Sequence, residues 1–286
     1  MDFKKQLSEY QNLINAYIEE RFKKFKANEK LLSAMKYSLS AGGKRIRPVL
    51  LFAFAEAFGV KAENVLPFAF SLECIHTYSL IHDDLPAMDN DDMRRGRPSN
   101  HKVYGEDFAI LAGDALLNLA YETCLSALKS EREVSATKYL AECAGFSGMI
   151  SGQAYDIEWQ FSTADEKKLL EIDRLKTGKL LKAPIIMAGL LAGVKTDDLE
   201  AIGDKLGVIF QFSDDLLDVI GDNEKMGKTL GKDQKEGKVT AVTVYGVEGV
   251  KDKIRKLERE CLEIADKYDN FDFIKNLIVY VSERNS

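Results

Sequence analysis

Eight aspartates in two clusters carry the first chemical signal of this sequence. Five lie in Ile81-His-Asp-Asp-Leu-Pro-Ala-Met-Asp-Asn-Asp-Asp-Met-Arg-Arg-Gly-Arg97, at positions 83, 84, 89, 91 and 92, directly ahead of three arginines. Three more lie in Phe210-Gln-Phe-Ser-Asp-Asp-Leu-Leu-Asp-Val219, where Asp214 and Asp218 are four residues apart and share one helix face, with Asp215 beside them. A charge run of this kind can be no more than a solvated loop. Carboxylates at i and i+4 repel each other and raise one another's pKa unless a cation is present, so two such groups next to apolar helical stretches point to metal sites. The donors are all hard oxygens, and His82 and His101 lack the spaced Cys or His partner of a zinc site, which favours Mg²⁺. An EF-hand fails, because counting from Asp89 puts Arg94 where the loop needs glycine. Mg²⁺ completes its shell with water and phosphate oxygens, so a phosphorylated substrate is implied.

Phosphate needs cations, and they recur in four tight groups: Gly42-Gly-Lys-Arg-Ile-Arg-Pro48, Arg94-Arg-Gly-Arg97, Lys176-Thr-Gly-Lys179, and Gly221 to Lys232, with Lys238 just beyond. Arginine offers a planar fork and lysine a point charge. The last group is not a P-loop, since five residues rather than four separate Gly221 from Gly227 and a helical pattern rather than a strand precedes it.

Helices must position these groups. Only five prolines occur, at 48, 67, 86, 98 and 184, leaving long uninterrupted stretches. Leu7, Tyr10, Leu13, Ile14, Tyr17 and Ile18 recur at helical spacing, as do Ile254, Leu257, Cys261, Ile264 and Tyr268, and both sets read as surface amphipathic helices. Val65 to Ile81 and Phe108 to Leu128 are apolar on most sides and read as helices enclosed in a bundle. Thr163 with Glu166 and Asp197 with Glu200 have the spacing of helix caps. Val239 to Tyr245, rich in β-branched residues, fits a strand as well as a helix on local propensity. With no linker or repeat in view, one all-α domain over residues 1–286 is expected.

The chain has 286 residues and a formal net charge of −6, which disfavours a nucleic-acid footprint or binding to an anionic membrane surface. Four widely spaced cysteines, Cys74, Cys124, Cys143 and Cys261, and no signal-like start fit a cytoplasmic protein. The longest apolar runs, around Val49 to Val60 and Ile185 to Val194, fall short of the ~20 residues that span a bilayer, so no membrane span is expected.

Taken together, the segments from Gly42 to Pro48, Asp83 to Asp89, and Asp214 to Asp218, with the Gly-Lys pairs near Lys228, resemble the trans-polyprenyl diphosphate synthase family, most closely the bacterial farnesyl diphosphate synthases. The resemblance covers about residues 30 to 240. It implies an all-α, isoprenoid synthase-type helical bundle around a deep central cavity, with the two aspartate motifs facing each other across its mouth, and it favours helix at Val239 to Tyr245. It also implies ionisation of an allylic diphosphate (dimethylallyl or geranyl), attack by isopentenyl diphosphate and loss of a proton, with three Mg²⁺ and a homodimer. By resemblance, Asp83, Asp84 and Asp89 hold metal on one side and Asp214 on the other, with Asp215 and Asp218 as further candidates. Arg94, Lys176, Lys228 and Lys238 would grip the allylic diphosphate. Lys44, Arg47, His76 and Arg95 would hold isopentenyl diphosphate. Thr177 and Gln211, with Lys176, would lie near the reacting carbons. Arg45, Arg97, Asp91 and Asp92 fall outside that pattern, and His82 reads as a satisfied histidine in the helix wall.

Product length turns on the residues one turn before the first cluster. Tyr78 precedes Asp83 by five residues, roughly 7.5 Å along a helix, and its ring could stop the growing chain, whereas Ser79 is small. The aromatic and the Pro86-Ala87 insertion resemble the fifteen-carbon synthases. The competing readings are a geranylgeranyl diphosphate synthase and, from another class, a non-catalytic subunit of a heteromeric synthase. Both aspartate motifs are kept here, against the second of these and against a terpene cyclase.

Overall fold

The computed structural model describes residues 2–163, 165–220 and 237–283. Lys228 and the Gly-Lys pairs around it lie outside the described residues.

The chain opens with α1 (Phe3–Phe22), which buries Leu7, Tyr10, Ile14 and Ile18 along one stripe as the 3.6-residue period requires. Next come α2 (Glu29–Leu39), started by Asn28, whose side chain accepts from Leu31 N–H, and α3 (Ile46–Ala57), buried on nearly every side. The helix α4 (Ala62–Asp83) buries thirteen of its side chains and delivers Asp83 at its last turn. A two-residue antiparallel ribbon, β1 (Met93–Arg94) with β2 (Arg97–Pro98), then turns the arginines back over the end of α4.

Two helices follow, α5 (Asn100–Tyr104) and α6 (Glu106–Ser126), the latter packed along α4. By length and composition α6 is the one described helix that could cross a membrane. Here it buries Ala109, Ala112, Leu116 and Ala120 and leaves Ile110, Leu111 and Leu125 exposed. The reading of Phe108 to Leu128 as a helix enclosed in the bundle is thus corrected: one face of α6 packs inside this chain and Ile110, Leu111 and Leu125 lie on the other.

The second half runs through α7 (Glu131–Ala144), with a Ser130–Glu133 capping box, α8 (Met149–Glu158) and α9 (Glu166–Ile172). A π-helical segment, Asp173–Gly178, leads into α10 (Lys179–Ala192), followed by α11 (Asp197–Ile220), α12 (Ala241–Ala265) and α13 (Asp272–Ser282). The core is continuous among these helices, with α10 packed on α3, α7 and α11, and α11 on α12.

Both expected caps shift. Asp165, not Thr163, caps α9, accepting from Lys168 N–H at 2.9 Å. In α11 the first helical bond runs from Glu200 N–H to Thr196 O, which places Asp197 inside the first turn, where a carboxylate favours the helix dipole. The β-branched stretch is helical from Ala241, because Thr240 caps it and Thr243 answers with the reciprocal bond. Val239 precedes the helix, and Gly246, at φ 68°, breaks its early course.

Candidate active site

The first aspartate cluster begins at the C-terminal end of α4. Asp83 is partly buried there, and burial, with Asp89 and Asp84 beside it, raises its pKa to about 6, while the Lys176 charge pulls the other way. Asp84 is 2% exposed and is held by Arg94, whose Nε donates to Oδ1 at 2.9 Å and whose Nη2 donates to the same oxygen. The same guanidinium reaches Asp91 Oδ2 at 3.1 Å, and Asp92 pairs with Lys102 at 2.7 Å, so Asp91 and Asp92 order this loop. Asp89 forms an ion pair with Lys238 at 3.5 Å, a contact that joins the first cluster to the chain entering α12. The two halves of the sequence therefore meet over one charged centre.

Lys176 and Thr177 sit on the π-helical segment. A Cβ on Gly152 of α8 would come within 2.1 Å of Lys176 N, and one on Gly207 of α11 within 2.8 Å of the Gly178 Cα. Glycine at both positions lets two helices press directly on the backbone that presents these side chains. Lys176 Nζ donates to Asp156 Oδ2 at 2.5 Å; burial would lower its pKa, yet Asp156 and Asp83 hold it above the ordinary lysine value. Thr177 Oγ1 donates to Gln211 Oε1 at 2.7 Å.

On α11, Asp214 is partly exposed and Asp218, one turn on, is buried. Asp215 is turned elsewhere: its Oδ1 accepts from Gln211 Nε2 at 2.8 Å and its Oδ2 from Ala241 N–H at 2.6 Å. Both oxygens of this sequence-predicted metal ligand thus hold protein donors. Among the described residues, no three acidic, histidine or cysteine side chains stand close enough together to hold a metal ion. Arg94 on Asp84 and Lys238 on Asp89 show what occupies the carboxylates instead.

A second group of cationic side chains lies around the Gly42-Gly43 turn. Both glycines have positive φ, and a Cβ on Gly43 would meet the Arg95 guanidinium at 2.8 Å. Arg95 Nη1 donates to Gly42 O at 2.6 Å and its Nη2 lies 3.5 Å from His76 Nε2. Burial, together with Arg47 and Arg95, keeps the His76 imidazole well below its ordinary pKa and therefore neutral. Arg47 is buried at the start of α3, while Lys44 is exposed and leans on the Tyr280 ring of α13.

Arg45, between them, is structural. Its backbone is left-handed (φ 51°) and its guanidinium is buried, donating to Glu73 Oε1 (2.6 Å), Asn15 Oδ1 (3.0 Å) and Leu39 O (2.7 Å). Arg97 is exposed. The sequence reading missed Glu73, Asp156 and Asp173. Glu73 is visible only as a charge inside an apolar helix, and Asp173 is 4% exposed with Oδ2 unbonded. Burial, then Asp215 and Asp156, holds the Asp173 carboxyl well above the usual range.

Below the charged centre, Tyr78 is buried, its ring edge-on to His82 at 5.8 Å. Burial, with the Tyr121 phenol nearby, pushes its hydroxyl up to about 12. His82 Nε2 lies 3.1 Å from Ile110 O over Gly113, where a Cβ would strike the ring, so His82 is indeed a satisfied wall residue. Ser79 Oγ donates back to His76 O at 3.0 Å. At the far end of α4 a separate cavity of about 560 Å³ is lined by Tyr17, Arg21, Phe68, Thr123 and Leu191, remote from the aspartates.

A polyprenyl synthetase family model matches residues 28–278. The chain is 42% identical to a farnesyl diphosphate synthase of Micrococcus luteus, over 97% of this chain and 96% of the relative. It is 43% identical to a geranylgeranyl diphosphate synthase of Cyanophora paradoxa, over 84% and 82%. Among solved structures, a Helicobacter pylori geranyltransferase described as complexed with magnesium and isoprenyl diphosphate superposes with a TM-score of 0.84 at 32% identity, covering 97% of this chain and 96% of that one.

Proposed function

The chain belongs to the polyprenyl synthetase family and is a prenyltransferase with the all-α isoprenoid synthase fold, and on that premise we propose that it is a farnesyl diphosphate synthase. It would condense isopentenyl diphosphate with dimethylallyl and then geranyl diphosphate. The observation that carries the fifteen-carbon product is Tyr78, a buried ring five residues before Asp83 and edge-on to His82. A tail growing beside α4 meets that ring. The geranylgeranyl reading stands second, favoured by the equally similar geranylgeranyl synthases.

The chemistry of the donor set suits a hard divalent cation, since Asp83, Asp84 and Asp89 offer only oxygens, and Asp84 and Asp89 would first have to leave Arg94 and Lys238. Mg²⁺ would be held there and by Asp214, in the three-ion number that the resemblance implies. Its chemistry would be to neutralise the diphosphate as the carbon–oxygen bond breaks. The chain's own residues do the rest. Lys176, Arg94 and Lys238 present fixed positive charge to the departing diphosphate, and Lys228, outside the described residues, is proposed to join them.

Arg95 and Arg47, around neutral His76, would hold isopentenyl diphosphate with its double bond toward the cation. Thr177 and Gln211 contribute oxygens that stabilise positive charge without a reactive nucleophile. Four buried thiols support a reducing, cytoplasmic setting, the family match over residues 28–278 supports one synthase domain, and a homodimer is proposed with it.

The test is incubation with Mg²⁺, isopentenyl diphosphate and dimethylallyl diphosphate, with the products dephosphorylated and identified by mass spectrometry. Predominant farnesol is expected. Mostly geranylgeraniol would replace the product assignment, and no product from folded, Mg²⁺-loaded protein would leave a non-catalytic subunit.

A further inference from the structure

From the hydrogen-bond chain that joins three helices beneath the site, we infer that Asp215 is a positioning residue that sets the direction of the Gln211 amide and the Thr177 hydroxyl, and is not a metal ligand. The inference rests on the synthase reading above.

The chain of bonds has a forced polarity. A carboxylate only accepts, so the Gln211 atom 2.8 Å from Asp215 Oδ1 must be the NH₂ group. The amide oxygen then faces Thr177, and because that oxygen also only accepts, the Thr177 hydroxyl must spend its single proton on it, at 2.7 Å. What remains for the reacting carbons is a surface of lone pairs: those of Thr177 Oγ1 and the second one on Gln211 Oε1. An electron-poor carbon is stabilised by such a surface and would be disfavoured by a row of N–H and O–H donors.

With the amide reversed, its NH₂ would donate to Thr177 Oγ1, and the hydroxyl proton would be released to point away from Gln211. Nothing about Gln211 or Thr177 themselves prevents this. The acceptor-only end of the chain prevents it. Asp215 is in turn fixed from behind, since its Oδ2 takes the Ala241 N–H at 2.6 Å, at the first residue of α12. It is 3% exposed, so no solvent competes for these bonds. Its neighbour Asp214, rotated by about 100° on the helix, looks to a different environment.

The experiment is a charge-conserving exchange. Asp215→Asn keeps an acceptor for Ala241 N–H but offers Gln211 an NH₂ group, which turns the Gln211 amide around. The double variant Asp215→Asn, Gln211→Glu restores the original direction: the amide introduced at position 215 donates to the carboxylate introduced at position 211, which accepts from Thr177.

The single variant is expected to lose about 10- to 100-fold in kcat, with KM for both substrates unchanged. Affinity for Mg²⁺ with inorganic diphosphate, measured by calorimetry, should stay within about twofold, since no metal ligand has been lost. The double variant should regain most of the loss. A tenfold or greater drop in Mg²⁺–diphosphate affinity for Asp215→Asn would make Asp215 a metal ligand and overturn the inference. So would an unchanged kcat, or a kcat that stays low in the exchanged pair.

If Asp215→Asn does not fold, the exchanged pair against wild type carries the same comparison, and an inactive, folded pair overturns the inference. Wild-type protein that binds Mg²⁺ and diphosphate without turnover would sink the synthase reading. The affinity of Asp215→Asn would then still decide whether Asp215 holds metal.

Discussion

Arg94 sits on Asp84, its Nε 2.9 Å from Oδ1, so a guanidinium occupies the carboxylate that the sequence marks for metal. The same pair holds the two groups that substrate must separate, one bound for a cation and the other for a diphosphate. Arg94→Gln should therefore move two affinities in opposite directions. The KM for dimethylallyl diphosphate should rise about 10-fold or more, the scale of a lost charge-assisted bond. Mg²⁺ alone should bind more tightly, because Asp84 loses its resident partner. Calorimetry of Mg²⁺ with and without diphosphate checks both, and weakened binding of Mg²⁺ alone would refute the account.

Asp83 stands at about 6, against an ordinary 3.8, mainly through burial. A carboxyl whose folded value lies above its unfolded one binds more protons when folded. Its contribution to stability is complete below about pH 4 and is lost as pH rises through 6. Asp83→Asn should then stabilise the metal-free protein at pH 7.5 by about 1–3 kcal/mol, and the advantage should shrink by roughly half at pH 5. Turnover should be lost. Urea melts of both proteins at the two pH values decide it, and a constant difference would contradict the assignment.

Tyr78→Ala removes the buried ring that packs edge-on to His82. The expected outcome is a shift of product from fifteen carbons to twenty or more, with total diphosphate release within about threefold of wild type, since the ring carries no charge to the reacting centre. The same alcohol analysis reads it. Unchanged product length would move the floor to another side chain.

Glu73 and Arg45 form a pair in which each side chain is 2% exposed. Glu73→Ala leaves a buried guanidinium without its counter-charge and should cost about 3–5 kcal/mol of stability. Because Arg45 lies between Lys44 and Arg47, KM for isopentenyl diphosphate should rise while that for the allylic substrate stays near wild type. Parallel changes in both would mean a general loosening of the fold.

How far these groups could be read from sequence depends on whether their role is periodic or spatial. The stripe of α1 and the Ile254 and Cys261 part of the α12 stripe follow from spacing, because a helix face is fixed by its period, although Tyr268 falls past the helix end; the burial of Val65 to Ile81 follows instead from its being apolar on most sides. The caps at Thr163 and Asp197 missed by one or two residues, because several oxygen-bearing side chains crowd each start and only geometry selects one. The exposed face of α6 was hidden, since an apolar composition does not say which neighbours are present. Within Asp214-Asp215 the residue type was legible but not the division of labour. That depends on Ala241, which only the folded chain brings to Asp215. Arg45 likewise looks like one more cation in a basic loop until Glu73 is placed beside it.

The π-helical segment from Asp173 to Gly178 also bears on how this chain could change length. Such a turn holds one residue more than an α-helical turn. Deleting any one of its six residues would leave a chain that can still run as a continuous helix into α10. The helices on either side would then keep their register, yet Lys176 or Thr177 would be lost or displaced from its place against Asp156 and Gln211. Single-residue deletions are often absorbed at loops, yet here the intolerant spot lies inside a helix. A deletion scan of the whole gene should show a sharp gap at these six codons, and Gly152 and Gly207, which press on this backbone in space, should refuse even a methyl group.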